Sequence, residues 1–108
     1  MVIEYLFVKT KDDFCVNVEG FKKYLESNMR IKFENNEVTI DKKKYRYKLA
    51  ETVVEKSNEI VFHFGIEPSS SSLSEAKQLE SLENASSVLQ RINDKYEMFK
   101  IYTIWDDI

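Results

Sequence analysis

His63 is the first residue to consider for chemistry, because it is the only histidine in the chain. An imidazole activates a hydroxyl or thiol nucleophile only when the two side chains come within hydrogen-bonding reach. His63 stands between Phe62 and Phe64 in an alternating segment, which predicts a strand with the histidine facing away from both rings. We therefore expect a surface or half-buried structural residue. A small enzyme would instead need a concave site around His63, with a carboxylate or a hydroxyl beside it.

The sequence contains no pattern typical of a metal-binding or a nucleotide-binding site. One histidine and one cysteine cannot supply the four ligands of the usual zinc site. Cys15 lies between two apolar residues, which is typical of a small side chain entering a core. Gly20 and Gly65 stand alone, so a glycine-rich phosphate loop is excluded. The sequence thus predicts no catalytic residue, no cofactor and no metal.

The segment DKKKYRYK, residues 41–48, concentrates positive charge in an otherwise acidic chain. It carries Lys42, Lys43, Lys44, Arg46 and Lys48, interleaved with Tyr45 and Tyr47. Basic and aromatic side chains on one strand could hold phosphates and stack bases. Alternation, however, puts Lys44, Arg46 and Lys48 on the opposite face from the tyrosines. This favours an exposed edge strand whose lysines discourage pairing with another sheet. Because the RNA-recognition sheet motif is also missing, nucleic-acid binding is kept as the alternative hypothesis.

Composition predicts one folded domain over residues 1–108. Hydrophobic residues make up 43% of the chain and charged residues 32%, with a formal net charge of -3. These values are ample for a single core with a mildly acidic surface. Glu4 interrupts the first apolar run and no basic segment precedes it, which argues against a signal peptide. The single cysteine cannot form an internal disulfide, so we expect a reducing, cytoplasmic setting and no membrane association.

The first two thirds of the chain have mainly the period of β-strands. Residues 2–8 are apolar on both sides of the period-two pattern apart from Glu4, which predicts an interior strand covered on both faces. Asn17 can cap a short helix. Alternation then runs from residue 30 to residue 66, with Asn35 and Asn36 in the first turn. This pattern predicts a four-stranded antiparallel meander.

The last third predicts a long helix and a final strand. Ser72 and Glu75 fit a capping box before the helix. Its apolar stripe consists of Leu73, Ala76, Leu79, Leu82, Ala85, Leu89 and Ile92. A strand follows around Phe99, which gives the order β-α-β-β-β-β-α-β. We expect an α+β fold with two helices packed on a mostly antiparallel sheet of five to six strands. A ferredoxin-like sandwich, or an elaboration of it, is the expected architecture, with a strand order that cannot be read from the sequence.

The final segment IYTIWDDI is similar to a junction found in bacterial defence proteins. There, a WDDI or WNDI element leads from an N-terminal α+β domain into a helical HEPN-type domain. The resemblance covers residues 103–108 and implies an accessory domain, the N-terminal part of a longer protein of abortive infection or phage defence. No arginine in this chain precedes a histidine at the spacing of the HEPN ribonuclease motif, so no catalytic residue is carried over.

Apolar surface after the last strand independently predicts a contact with a neighbouring protein surface. We expect Tyr102, Trp105 and Ile108 to form that contact, either with a C-terminal helical effector domain or with a second copy of the chain. The leading hypothesis is therefore a non-catalytic sensing, regulatory or protein-interaction domain. The alternative is a nucleic-acid-binding module that uses residues 42–48.

Overall fold

The computed structural model describes residues 2–10, 17–69 and 73–103. In these ranges the chain forms β1 (Val2–Thr10), α1 (Val18–Glu26), β2 (Ile31–Glu34), β3 (Glu37–Ile40), β4 (Lys43–Val54), β5 (Glu59–Pro68), α2 (Glu75–Ile92) and β6 (Glu97–Thr103). The α+β class and the element order agree with the prediction. No helix in these ranges is both long and apolar enough to cross a lipid bilayer.

One six-stranded sheet organises the molecule, with strand order β2-β3-β4-β5-β1-β6. Every paired neighbour in the sheet is antiparallel. The first strand lies inside the sheet, between β5 and β6. From β1 the chain runs through α1 to the meander at the other side of the sheet, and after α2 it comes back to pair β6 with β1. This is the path of a ferredoxin-like sandwich, and the β2–β3 hairpin extends it beyond β4.

Turn residues fix the register of the meander. Asn35 has a φ of 53°, as expected for the predicted hairpin between β2 and β3. Asp41 and Lys42 both have positive φ, at 51° and 72°, so the next hairpin closes with two left-handed residues. Lys42 therefore lies in a turn, outside the strand. Asn58 ends the break between β4 and β5 in the same conformation, with a φ of 53°.

Both helices pack on one face of the sheet, which we call the covered face. Phe21 of α1 lies against Phe7 and Phe62, with ring centroids 4.9 and 4.5 Å apart. The hydroxyl of Tyr5 lies 2.6 Å from Ser86 Oγ of α2. The other residues of this face that are fully or almost fully buried include Ile3, Tyr45, Ile60, Phe64, Ile66, Leu25, Leu82 and Leu89. The burial of so many aromatic rings in one layer is what stabilises the sandwich.

The second face of β1 corrects one prediction. The strand is interior, as expected, since it pairs with β5 on one side and β6 on the other. Its outward-alternating residues are nevertheless only half-buried: Val2, Glu4, Leu6 and Val8. The described helices both lie on the covered face, so the expected cover on the second face is wrong. We call this second side of the sheet the open face.

The helix caps confirm one prediction and correct another. Asn17 Oδ1 accepts a hydrogen bond from the backbone N–H of Gly20 at 2.9 Å and caps α1 as predicted. The cap of α2 is Ser74, whose Oγ accepts from Lys77 N–H at 3.3 Å. Ser72 lies outside the described residues, and the helix begins at Glu75. The capping-box prediction is therefore wrong, because Ser74, on the other side of Leu73, can also cap and is the residue at which the helix starts.

The buried stripe of α2 also differs from the predicted one. Leu79 is 41% exposed, whereas Ser81 and Ser86 are buried. The two serines face buried tyrosine hydroxyls of the sheet, which need hydrogen-bond partners. The buried stripe of α2 therefore includes two polar residues whose hydrogen-bond partners lie on the sheet.

Candidate functional site

The basic-aromatic segment divides between the two faces, as the alternation predicted. Lys44, Arg46 and Lys48 are exposed and lie on the open face. Tyr45 is fully buried, and its hydroxyl donates to the carbonyl of Ser81 at 2.8 Å. Its ring therefore cannot stack on a base, which corrects its place among the residues of the alternative hypothesis.

Tyr47 and Lys43 also depart from a nucleic-acid platform. Tyr47 is half-buried on the covered face, with its ring edge against Phe33 at a centroid distance of 5.0 Å. Lys43 is exposed, but it lies on the covered side of β4, because it is two residues before the buried Tyr45. It is therefore on the opposite side of the strand from the row formed by Lys44, Arg46 and Lys48. Phosphate contacts by the open-face row remain compatible with this arrangement, whereas base stacking by the two tyrosines does not.

Electrostatics around these residues follow their burial. Burial raises the pKa of the Tyr45 hydroxyl, because the charged form would lose its solvation. A hydrogen bond with Tyr47 is the main cause of a raised pKa for the Lys22 amino group, which lies 5.7 Å from the centre of that ring. The Lys22 amino group thus lies over the rings of both Tyr47 and Phe33.

The predicted C-terminal contact falls largely outside the described residues. Trp105 and Ile108 are not among them, and Tyr102 belongs to β6 but its side chain is not described. Earlier residues of the same strand carry the apolar exposure instead. Phe99 is 52% exposed and Ile101 is 46% exposed. The sequence shows that Phe99 and Ile101 lie on the same side of a strand. It does not show which side of that strand the helices cover.

Pairing register places Phe99 and Ile101 on the open face. Phe99 pairs with Leu6 and Ile101 with Glu4, both of which alternate away from the helices. Val8 pairs with Val61 across the next strand boundary. The apolar part of the open face therefore consists of Val2, Leu6, Val8, Val61, Phe99 and Ile101. An exposed group of apolar residues of this kind is typical of a site that contacts another molecule.

A polar bridge crosses the open face between the apolar residues and the basic row. His63 Nδ1 lies 3.2 Å from Glu4 Oε1, and His63 Nε2 lies 3.1 Å from Thr52 Oγ1. The His63 and Glu4 side chains are 36% and 39% exposed. The histidine is half-buried, as expected, but it does meet a carboxylate and a hydroxyl. No local pattern in the sequence indicates this meeting, because the three residues share one face only once β1, β4 and β5 are aligned.

Chemically, the bridge can orient the imidazole and move a proton along Thr52, His63 and Glu4. Nucleophilic catalysis would also need donors preorganised around a developing oxyanion. Three polar residues at diagonal positions on neighbouring strands are a common way of stabilising a sheet surface. The bridge therefore satisfies the condition set for considering a small enzyme, without supplying the rest of an active site.

A groove of about 850 Å³ has His63 and Glu4 of this bridge in its lining. Its floor includes Gly65, and charged side chains of Glu4, Arg46, Lys48 and Glu67 contribute to its walls. Arg46 Nε lies 3.2 Å from Glu67 Oε1, so one pair of wall charges is joined across two strands. A volume of this size is in the range of small-molecule sites.

Among residues 2–10, 17–69 and 73–103, no group of three or more potential metal ligands comes together. Comparison of the chain with models of protein families, with curated proteins and with solved structures finds no match. The function must therefore be argued from the geometry of the open face.

Proposed function

We propose that the protein is a non-catalytic interaction module that docks onto another protein through the open face of its sheet. The observation that carries this proposal is the exposure of Phe99 and Ile101, at 52% and 46%, beside the half-buried apolar residues of β1 and β5. Burying apolar surface contributes about 25 cal/mol per Å², so a partner that covers this side gains a favourable term. Sheet faces pack well against other sheets or against helices.

A stand-alone enzyme explains these features less well. Catalysis would give a role to Glu4, His63 and Thr52, but it would give no role to the apolar residues around Phe99. A docking surface gives a role to the polar bridge and to the apolar residues, because a polar bridge inside an apolar interface can fix the register of the partner. The expected sensing or regulatory role follows if docking is what transmits the signal.

Nucleic-acid binding ranks second as a function. The exposed row of Lys44, Arg46 and Lys48 supports it. The burial of Tyr45 and the pairing of Arg46 with Glu67 count against it, because they remove a stacking ring and engage the Arg46 guanidinium. Binding through the row would weaken steeply with salt. Binding that is insensitive to salt would remove this candidate.

The proposal includes a cellular setting. The resemblance of residues 103–108 to the junction of HEPN-type defence proteins supports a bacterial, cytoplasmic context in which a helical domain is the first partner to test. Apart from Thr103, the residues that carry the resemblance lie outside the described ranges. The docking proposal stands on Phe99 and Ile101 and does not depend on it.

The experiment places a photo-crosslinking amino acid at position 99 in cells and compares it with the same amino acid at position 79. Leu79 is a matched control, since it is a large apolar residue, 41% exposed, on a helix away from the open face. We expect a discrete partner, or a second copy, to be trapped from position 99 only.

The trapped complex is then reconstituted from purified components. Phe99→Glu with Ile101→Glu should weaken it about tenfold or more, because charge is forced into an apolar contact. Leu79→Glu and Met29→Glu should leave it unchanged. Equal trapping from positions 79 and 99, or a complex that is indifferent to the open-face variant, would contradict the proposal.

A further inference from the structure

Gly65 leaves an unfilled space in the middle of the open face. It lies inside β5, and its φ is not positive, so the backbone does not require a glycine there. A Cβ at this position would meet only Val2 Cγ1, at 3.9 Å, which is an ordinary contact. Glycine weakens a strand interior and often marks a place where another molecule approaches the backbone closely. The missing side chain is what gives the groove its flat floor.

Opposite charges stand on the two sides of this floor. Register pairs Gly65 with Glu4 on β1 and with Lys48 on β4, and all three line the groove. Two strand spacings separate the two charged residues, roughly 10 Å between their Cα atoms. The site therefore offers the Glu4 carboxylate on one side of Gly65 and the Lys48 amino group on the other.

The acceptor side is held in place by its neighbours. His63 Nδ1 contacts Oε1 of the Glu4 carboxylate, and Thr52 in turn contacts the other imidazole nitrogen. A carboxylate has two oxygens and several lone pairs, so it can accept further hydrogen bonds. On the donor side, the pairing of Arg46 with Glu67 at 3.2 Å fixes the guanidinium beside Lys48. A preorganised arrangement of this kind reduces the cost of binding.

A flat ligand for this site needs N–H donors on one edge and acceptors on the other. Among common heteroaromatic rings, guanine has these properties, with O6 and N7 as acceptors and an exocyclic amine as a donor on another edge. Adenine presents a donor and an acceptor on the same edge and matches the two walls less well. We propose that the groove over Gly65 binds a guanine base, with its donor edge toward Glu4 and its O6/N7 edge toward Lys48.

This site adjoins the protein-docking surface and shares Val2, Glu4 and His63 with it. The groove is centred on Gly65, whereas the docking proposal rests on Phe99 and Ile101 of β6, which do not line the groove. The failure of one proposal therefore does not decide the other.

The experiment titrates guanosine, inosine and adenosine into the purified chain and follows backbone amide chemical shifts. Guanosine should shift amides of the groove. Inosine, which lacks the exocyclic amine, should bind about tenfold more weakly, in line with the discrimination that a bidentate base contact provides. Adenosine should bind no better than inosine. The absence of groove shifts with guanosine up to its solubility limit would overturn the proposal.

Variants then locate the site. Gly65→Val fills the space over the strand and should abolish guanosine binding. If the valine variant does not fold, Gly65→Ala takes its place in the test, because its methyl group has room in the structure. Glu4→Gln should remove the preference for guanosine over inosine. Val61→Thr is the matched control, because it lies on the same strand and face but outside the groove. Equal binding by Gly65→Val and by the unchanged chain would also overturn the assignment.

The same base could come from a free nucleotide or from a nucleic acid. Guanosine monophosphate and a short guanine-containing RNA are therefore compared at two salt concentrations. Tighter binding of the RNA with a strong salt dependence would assign the site to nucleic acid through the row of Lys44, Arg46 and Lys48. Similar affinities for the nucleoside and the monophosphate would assign it to the free base or nucleotide. Weaker binding of both nucleotide forms than of guanosine would contradict a natural nucleotide ligand.

Discussion

The two faces of the sheet use the same strands in opposite ways. On the covered face, polar groups are buried and hydrogen-bonded, as in the hydrogen bond from Tyr45 to Ser81 at 2.8 Å. On the open face, ionisable groups meet at longer distance and remain about a third exposed, as in His63 and Glu4 at 3.2 Å. Burial makes the first kind of contact stabilising and the second nearly neutral, because solvent screens exposed pairs. Stability should therefore depend on the covered face and recognition on the open one.

The largest expected effect tests the aromatic layer. Phe62→Ala removes a fully buried ring that lies 4.5 Å from Phe21, and it should lower the free energy of unfolding by about 3–5 kcal/mol. Phe99→Ala on the open face should change it by less than about 1 kcal/mol. Urea denaturation of both variants measures the difference. A similar loss in both would mean that the two faces are not energetically distinct.

A middle-sized effect concerns the buried hydroxyl. Tyr45→Phe leaves the Ser81 carbonyl and hydroxyl in the interior without the tyrosine donor, at a cost of about 1–3 kcal/mol. Thr52→Val removes a hydroxyl from the exposed bridge and should cost under about 0.5 kcal/mol. Denaturation midpoints compare the pair directly. If Thr52→Val proved the more costly of the two, the bridge would be structural and the comparison would be reversed.

The smallest expected effect is a loss of stability at alkaline pH, which is absent at neutral pH. Burial raises the pKa of Tyr24, Tyr45 and Tyr96, all of which pack on the covered side. In the unfolded chain tyrosine ionises near pH 10, so the protonated folded state loses its advantage as the pH rises beyond that value. Stability from these groups should be fully present below about pH 10 and decline as the pH rises through the folded pKa. Unfolding midpoints measured from pH 8 to 11 test this, and Tyr45→Phe should show a shallower decline.

Sequence reasoning succeeded where the pattern is local. The alternation of the meander, the asparagine turn at 35–36 and the Asn17 cap all depend on residues within a few positions of one another. It failed where a distant partner decided the outcome. Ser81 and Ser86 are buried where Tyr45 and Tyr5 reach them from other elements, whereas Leu79 of the same helix is exposed.

The candidate site shows the same limit more sharply. His63 was singled out, and its half-buried position was expected. Glu4 and Thr52 were not connected with it, because they lie 59 and 11 positions away along the chain. Gly65 could be read only as an isolated glycine until register placed it between Glu4 and Lys48.

By itself, the sequence determined the class of the fold and the order of its elements, because hydrophobic period and turn chemistry act over a few residues. The strand order, the choice of covered face and the meeting of Glu4, His63 and Thr52 were decided by the tertiary structure. Those features depend on which strands become neighbours. Neighbours in this sheet come from both ends of the chain, and no local pattern encodes their register.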